Sequence, residues 1–281
     1  MRILLTGSKG QVGSALVPAL APLGEVSAFD RQGLDLLDLH SIRNAIAKIK
    51  PDVIINSAAY TAVDRAERER DAAFEVNFRA VRDLAREAKS MDALLVHFST
   101  DYVFDGEKPA PYVETDAPNP LSVYGRSKLE GERAIAASGC RHIIFRTSWI
   151  YSPGGRNFLH AILAAAKTKP ELRVVNDQRG APTASGAIAG AVARVLAHPG
   201  KANGLYHLSA GGETTWHGFA QAILEANGLK NPVTAIRSDE YPAEAKRPRN
   251  SLLDNSKIGA DFGVALPDWR QGMAAVLAAI H

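Results

Sequence analysis

Through residue 149 the chain alternates short apolar runs with longer stretches of mixed polarity. Residues 3–6, 26–29, 53–56, 94–98 and 143–146 are largely apolar, the pattern of strands buried on both faces of a parallel sheet. The stretches between them, for instance 41–50 and 71–90, predict helices. Strand and helix in alternation predict an α/β fold, a Rossmann-like doubly wound parallel sheet covered on both faces. Pro18 falls inside the first helical stretch, where its missing N–H predicts a kink or an early end. After Trp149 the pattern loosens. Pro153, Gly154, Gly155, Gly180, Pro182, Gly211, Gly212, Pro232, Pro242 and Pro248 interrupt it, and alanine-rich helices are expected over 185–197 and 216–227. The expected organisation is a dinucleotide-binding region over 1–149 and a smaller substrate-binding region over 150–281, interleaved with the sheet.

The first apolar run passes directly into Gly7, Gly10 and Gly13, which predicts a strand, a tight turn and a helix. Gly7 would allow the turn, Gly10 would let a pyrophosphate approach the backbone, and Gly13 would let the helix pack on the strand. The spacing Gly-x-x-Gly-x-x-Gly differs from the more familiar Gly-x-Gly-x-x-Gly, and an ordinary turn before a helix could share it. Its place after the first strand, with Asp30 closing the next apolar run, favours a dinucleotide whose ribose hydroxyl the acid accepts. Arg31 follows at once. A carboxylate repels the 2′-phosphate of NADPH and a guanidinium can bind it, so NADPH and NADH both stay open, as does a merely solvated Arg31.

Tyr124 and Lys128 are four residues apart, which on a helix puts them on one face. A free tyrosine loses its proton near pH ~10, so a proton donor of this kind needs its phenolate stabilised by roughly 3 units, or about 4 kcal/mol. At roughly 5 Å and an effective dielectric of ~20, one ammonium offers about 3 kcal/mol of that. Alone, Tyr-x-x-x-Lys arises by chance on many surface helices. Polar phrases at 56–61 and 99–104 follow two of the strand-like runs, where open α/β sheets bind ligands, and Thr100 could meet Tyr124 at one carbonyl oxygen.

Composition narrows the classes. With 281 residues, 46% of them apolar, the chain can bury a full core. The net charge of +3 comes without a basic block, so nucleic acid is not an expected partner. Cys140 is the only cysteine and the eight histidines are scattered, which removes an internal disulfide and offers no zinc-ligand spacing. The first strand leaves no room for a leader peptide, and no apolar stretch is long enough for a membrane span, so a cytoplasmic chain is expected. A basic loop at 246–251 could grip a diphosphate or be simply solvated.

The ordered set Gly7, Gly10, Gly13, Asn56-x-Ala58-Ala59, Thr100 and Tyr124-x-x-x-Lys128 resembles the extended short-chain dehydrogenase/reductase family. The phrases at 60–64, 99–106, 145–149, 176–183, 247–251 and 266–269 resemble its branch that reduces dTDP-4-dehydro-L-rhamnose at C4 to dTDP-L-rhamnose, and the likeness spans essentially the whole chain. The resemblance implies Thr100, Tyr124 and Lys128 as catalytic residues. It implies a cofactor, NADPH or NADH, held by Gly7, Gly10, Gln11, Val12, Gly13, Asp30, Arg31, Ala58, Ala59, Tyr60, Asn77, Tyr124 and Lys128, with Asp35 and Leu36 on the adenine. Asp38 could instead cap a helix. Thr61, Val63, Asp101, Tyr102 and Trp149 would line the sugar pocket; taken alone Trp149 reads as core, and its place in Arg-Thr-Ser-Trp favours the pocket. Asn176, Gln178 and Arg247 would bind the thymidine diphosphate. Where some bacterial members are thought to hold magnesium between two copies, this chain carries Ala15, Gly186 and Ala279. These side chains offer no oxygen to a hard cation, so a metal-independent monomer or weak homodimer is expected. The alternatives are a reductase of another dTDP-4-keto-6-deoxyhexose, and a non-catalytic nucleotide-binding subunit resembling the regulatory subunit of methionine adenosyltransferase.

Overall fold

The computed structural model describes residues 1–198, 200 and 203–280. Its main sheet is made of β1 (Arg2–Thr6), β2 (Glu25–Phe29), β3 (Val53–Asn56), β4 (Leu94–Thr100), β5 (His142–Thr147) and β6 (Gly204–His207), in the spatial order β2-β1-β3-β4-β5-β6. Every pairing is parallel. The helices used below are α1 (Gln11–Leu20), α2 (Leu39–Ile49), α3 (Ala80–Ser90), α4 (Val123–Ser138), α5 (Ser185–Ala197), α6 (Trp216–Ala226) and α7 (Trp269–Ala278).

Side chains alternate across a strand, so each apolar run must feed two cores. Ile3 and Leu5, Val53 and Ile55, Leu94 and Val96, and Ile143 and Phe145 face one side, where α1 and α5 cover them through Leu16, Leu20, Ile188 and Val192. Leu4, Ile54, Leu95 and Ile144 face the other, under Ile42 and Ile46 of α2, Leu84 and Ala88 of α3 and Ile135 of α4. A fully buried side chain of this kind contributes about 1.5–3 kcal/mol. A separate core joins Tyr151, Leu159, Leu172, Phe219, Ile223, Trp269 and Met273 and forms the lobe facing the carboxyl ends of the strands.

The strand order reverses between β1 and β3, which opens a crevice at their carboxyl ends. Helix α1 runs through Pro18 and stops two residues later, passing into a 3-10 turn at Ala21–Leu23. The helix expected over 71–90 is interrupted: Arg70–Phe74 leads into a π turn at Glu75–Arg79 before α3 begins. Asn77 in that turn points inward to polar partners. Strand β6 was not foreseen. It is four residues long and starts at a glycine with φ +127°, too short to show a period. Among the described residues no helix is long and apolar enough to cross a membrane.

Candidate active site

The glycine loop is shaped by what a side chain would strike. Gly7 has φ +70°, and a Cβ there would lie 2.7 Å from the Ala58 nitrogen; one on Gly13 would lie 2.1 Å from the Gly7 carbonyl. The loop is tied to β2 by Ser8 N–H donating to the Phe29 carbonyl at 3.0 Å and to the β3 loop by Ser57 Oγ donating to the Thr6 carbonyl at 2.6 Å. Gly10 caps α1 in an extended conformation, so the first amides of that helix face the crevice and favour an anion. These are the features a dinucleotide's pyrophosphate requires, and the residues fit such a group.

A cavity of 870 Å³ runs from this loop past Asp30, Arg31, Asp35 and Leu36, along Ala58, Ala59, Tyr60, Thr61 and Val63, and reaches Thr100, Asp101, Tyr102, Tyr124, Lys128 and Trp149. It also touches Gly7, Gly10, Gln11 and Val12. Asp30 is not a bare acceptor. Its Oδ1 takes the amides of Gln32 and Gly33 at 3.1 and 3.0 Å, and its other oxygen pairs with Lys9, whose ammonium hydrogen bond is the first cause holding the carboxyl below its ordinary range. Lys9 is a cleft residue the sequence reading passed over. Asp35 closes a turn onto Leu37 N–H at 3.0 Å while facing the cavity, and Asp38 caps α2 through His40 N–H at 2.9 Å.

Asn77 takes a different place from the one expected. It is fully buried and does not line the cavity; its amide brackets the Tyr60 backbone, accepting from N–H at 2.9 Å and donating to the carbonyl at 3.0 Å, and donates to Ser127 Oγ at 2.9 Å. It fixes the β3 loop to α4 from behind. Gly131 makes this possible, because a Cβ there would stand 2.3 Å from the Asn77 carbonyl.

Tyr124 and Lys128 come from the first turns of α4, whose N-cap Ser122 accepts from Gly125 N–H at 3.1 Å. Burial pushes the Tyr124 phenol up to about 12, with the Thr100 hydroxyl opposing it and Asp101 reinforcing it. Lys128 is 1% exposed. Burial brings its ammonium down to about 8 against the pull of Glu132. Its Nζ donates to the Phe98 carbonyl at 2.6 Å and lies 3.1 Å from His97 Nε2. The expectation that Lys128 lowers the Tyr124 pKa therefore does not describe this arrangement, in which carbonyl and imidazole engage the lysine and burial sets the phenol. Thr100 donates to Asp101 Oδ1 at 3.1 Å. Asp101 is 2% exposed and burial raises it to about 6, while Ser251 and Thr100 oppose the shift. Among the described residues its Oδ2 makes no well-aligned hydrogen bond.

The opposite wall is aromatic. Trp149, at φ 49°, stacks on Trp216 with ring centroids 3.6 Å apart and planes 9° from parallel, and both line the cavity with Arg156. Gly180 must be a glycine here, since a Cβ would sit 2.5 Å from the Trp149 ring. Trp216 and Arg156 escaped the sequence reading, as no local motif marks them.

Asn176, Gln178 and Arg247 do not line this cavity. Gln178 reaches it indirectly, accepting from Trp216 Nε1 at 3.1 Å and donating to Ser238 Oγ at 2.8 Å. Asn176 accepts from Thr215 Oγ1 at 2.7 Å. Arg247 is half-buried and pairs with Asp64 at 2.7 Å, and it stands close enough to Tyr102 to oppose the rise that burial imposes on that phenol. The basic loop is thus partly folded against the β3 segment, with Lys246 and Arg249 exposed.

The family model for the RmlD substrate binding domain matches residues 1–281. The chain is 44% identical to a dTDP-4-dehydrorhamnose reductase of Shigella flexneri over 99% of this chain and 97% of that one. Its fold superposes with a TM-score of 0.95 on a dTDP-4-dehydrorhamnose reductase of Bacillus anthracis crystallised with NADP, at 33% identity and 99% coverage of both chains. A Clostridium acetobutylicum dTDP-4-dehydrorhamnose reductase superposes with a TM-score of 0.96 at 37% identity, covering 100% of this chain and 99% of that one.

Proposed function

The chain belongs to the dTDP-4-dehydrorhamnose reductase family, and from that membership we propose that Thr100, Tyr124 and Lys128 carry out an NAD(P)H-dependent reduction of the C4 keto group of dTDP-4-dehydro-L-rhamnose to dTDP-L-rhamnose. The observation that carries this reading is that the glycine cradle and these three side chains line one continuous cavity.

The nicotinamide nucleotide, when bound, supplies the hydride. Tyr124 supplies the proton: a phenol raised to about 12 is still protonated at neutral pH, which is the state a donor must be in. Thr100 turns its one hydrogen from Asp101 toward the keto oxygen and steadies the charge that develops there. Lys128 keeps a hydrogen for the cleft beside Tyr124. Trp149 and Trp216 exclude water and offer a flat apolar face to the deoxysugar. Asn176, Gln178 and Arg247 lie outside this cavity; the family resemblance alone offers them to the thymidine diphosphate, with Gln178 holding the Trp216 indole. Ala15 and Gly186 line a second groove without an oxygen ligand in either side chain, and we infer a chain that needs no metal-bridged partner; sedimentation showing a dimer that EDTA dissolves would refute that point.

The test is oxidation of NADPH and of NADH with freshly generated dTDP-4-dehydro-L-rhamnose, with the product identified by sugar NMR. dTDP-L-rhamnose is the expected product. Nucleotide binding without turnover, or the C4 epimer as product, would overturn the substrate assignment.

A further inference from the structure

His97 lies fully buried on β4 and has no part in the reduction as derived above. It stands in register with Asn56 on β3, and Asn56 with Thr6 on β1. The three side chains form a polar line inside the sheet that ends at Lys128. Thr6 Oγ1 donates to Asn56 Oδ1 at 2.7 Å, and the Ala58 backbone N–H donates to the same oxygen at 3.2 Å. A backbone N–H can only donate, so the amide of Asn56 cannot be turned the other way. Its Nδ2 therefore donates to His97 Nδ1 at 3.2 Å, and that ring nitrogen carries no hydrogen. A neutral imidazole bare at Nδ1 is protonated at Nε2, and Nε2 faces Lys128 Nζ at 3.1 Å. Burial first, and Lys128 second, hold His97 well below its ordinary pKa, which keeps the ring neutral.

We propose that His97 is a positioning residue whose tautomer, locked by Asn56, presents Nε2–H to Lys128 and so weakens the lysine's hold on its third proton. As an amine, Nζ gives one hydrogen to the Phe98 carbonyl at 2.6 Å, takes the His97 hydrogen on its lone pair and keeps one hydrogen for the cleft. As an ammonium it sets an N–H against an N–H. The opposing group is Glu132, one turn along α4, but its carboxylate is already held by Arg146 of β5 at 2.9 and 2.6 Å and by Ser99 of β4 at 2.5 Å. Tyr124 lies one turn before Lys128 on the same face of α4, and Asp101 follows β4 directly. The inference rests on reading Lys128 as part of the reductase site, yet its test needs no turnover, so it can fail while the reductase reading stands.

Two-bond proton–nitrogen NMR of the full chain with nitrogen-15-labelled histidine reports which ring nitrogen is protonated. His97 is identified by the signal lost in His97→Gln or, should that variant not fold, by its proximity to the Asn56 amide. The expected result is a bare Nδ1 and a protonated Nε2 at neutral pH. In Asn56→Asp the new carboxylate should draw the hydrogen to Nδ1 and raise the Lys128 titration, followed with carbon-13-labelled lysine, by about one pH unit, a tenfold change in proton affinity. An Nδ1–H tautomer or an imidazolium in the wild type overturns the proposal. So does a Lys128 that titrates with the surface lysines, or an Asn56→Asp protein with tautomer and titration both unchanged.

Discussion

The two walls of the cleft are built by different means. The sheet wall consists of strand ends: the glycine loop after β1, the Ala58–Ala59 turn after β3, Thr100 closing β4 and the first turns of α4, all held by backbone contacts and by a buried polar line from Thr6 to Lys128. The lobe wall is two stacked indoles whose orientation depends on a side-chain chain, Trp216 to Gln178 to Ser238 to Asp177. The first wall is rigid where chemistry needs fixed geometry. The second can be changed without disturbing the sheet, which suits selection among related sugars.

The comparison can be broken hardest at the sheet wall. Glu132 and Arg146 form a buried pair, 7% and 3% exposed, and Glu132→Gln leaves the guanidinium uncompensated. A loss of about 3–5 kcal/mol in urea unfolding is expected. Next comes pH. Asp101 binds its proton more tightly folded than unfolded, its pKa rising from 3.8 to about 6. Its contribution is therefore fully present below pH 3.8 and is lost as pH rises through about 6, a span of about 3 kcal/mol. Asp101→Asn should flatten that part of the stability profile, and an unchanged slope between wild type and variant would contradict the burial argument.

At the lobe wall, Trp216→Ala removes one stacked ring. It should raise the sugar KM by about tenfold, given stacking worth about 0.5–1.5 kcal/mol beyond area, while NADPH affinity stays put. The smallest effect belongs to Lys9→Ala. Freed of its exposed partner, Asp30 should disfavour NADPH over NADH by about two- to fivefold, read as the ratio of dissociation constants by nucleotide fluorescence.

What was legible in the sequence follows the same division. The first five strands, α5, and Gly7, Gly10, Thr100, Tyr124 and Lys128 are written in contiguous segments whose spacing has a mechanical meaning: the strands build the sheet, α5 covers it, and these five residues line the cleft. Asn77, which the family resemblance offered to the cofactor, binds the Tyr60 backbone instead, because a buried amide serves a ligand or a backbone with the same donor and acceptor. Trp216 and Arg156 were invisible because they reach the cleft only after the lobe folds, and Lys9 because a lysine in a glycine loop is ordinarily solvated. The polar line through His97 sits in a run that scores as an ordinary buried strand, since periodicity registers burial and not partners.

The claim that the sheet wall performs the chemistry is tested most directly by measuring kcat and the NADPH dissociation constant of Tyr124→Phe beside wild type. The expected result is a fall of about 10²- to 10⁴-fold in kcat with nucleotide affinity within about threefold. A variant that keeps more than about a tenth of the rate, or loses rate only in proportion to lost nucleotide binding, would contradict it.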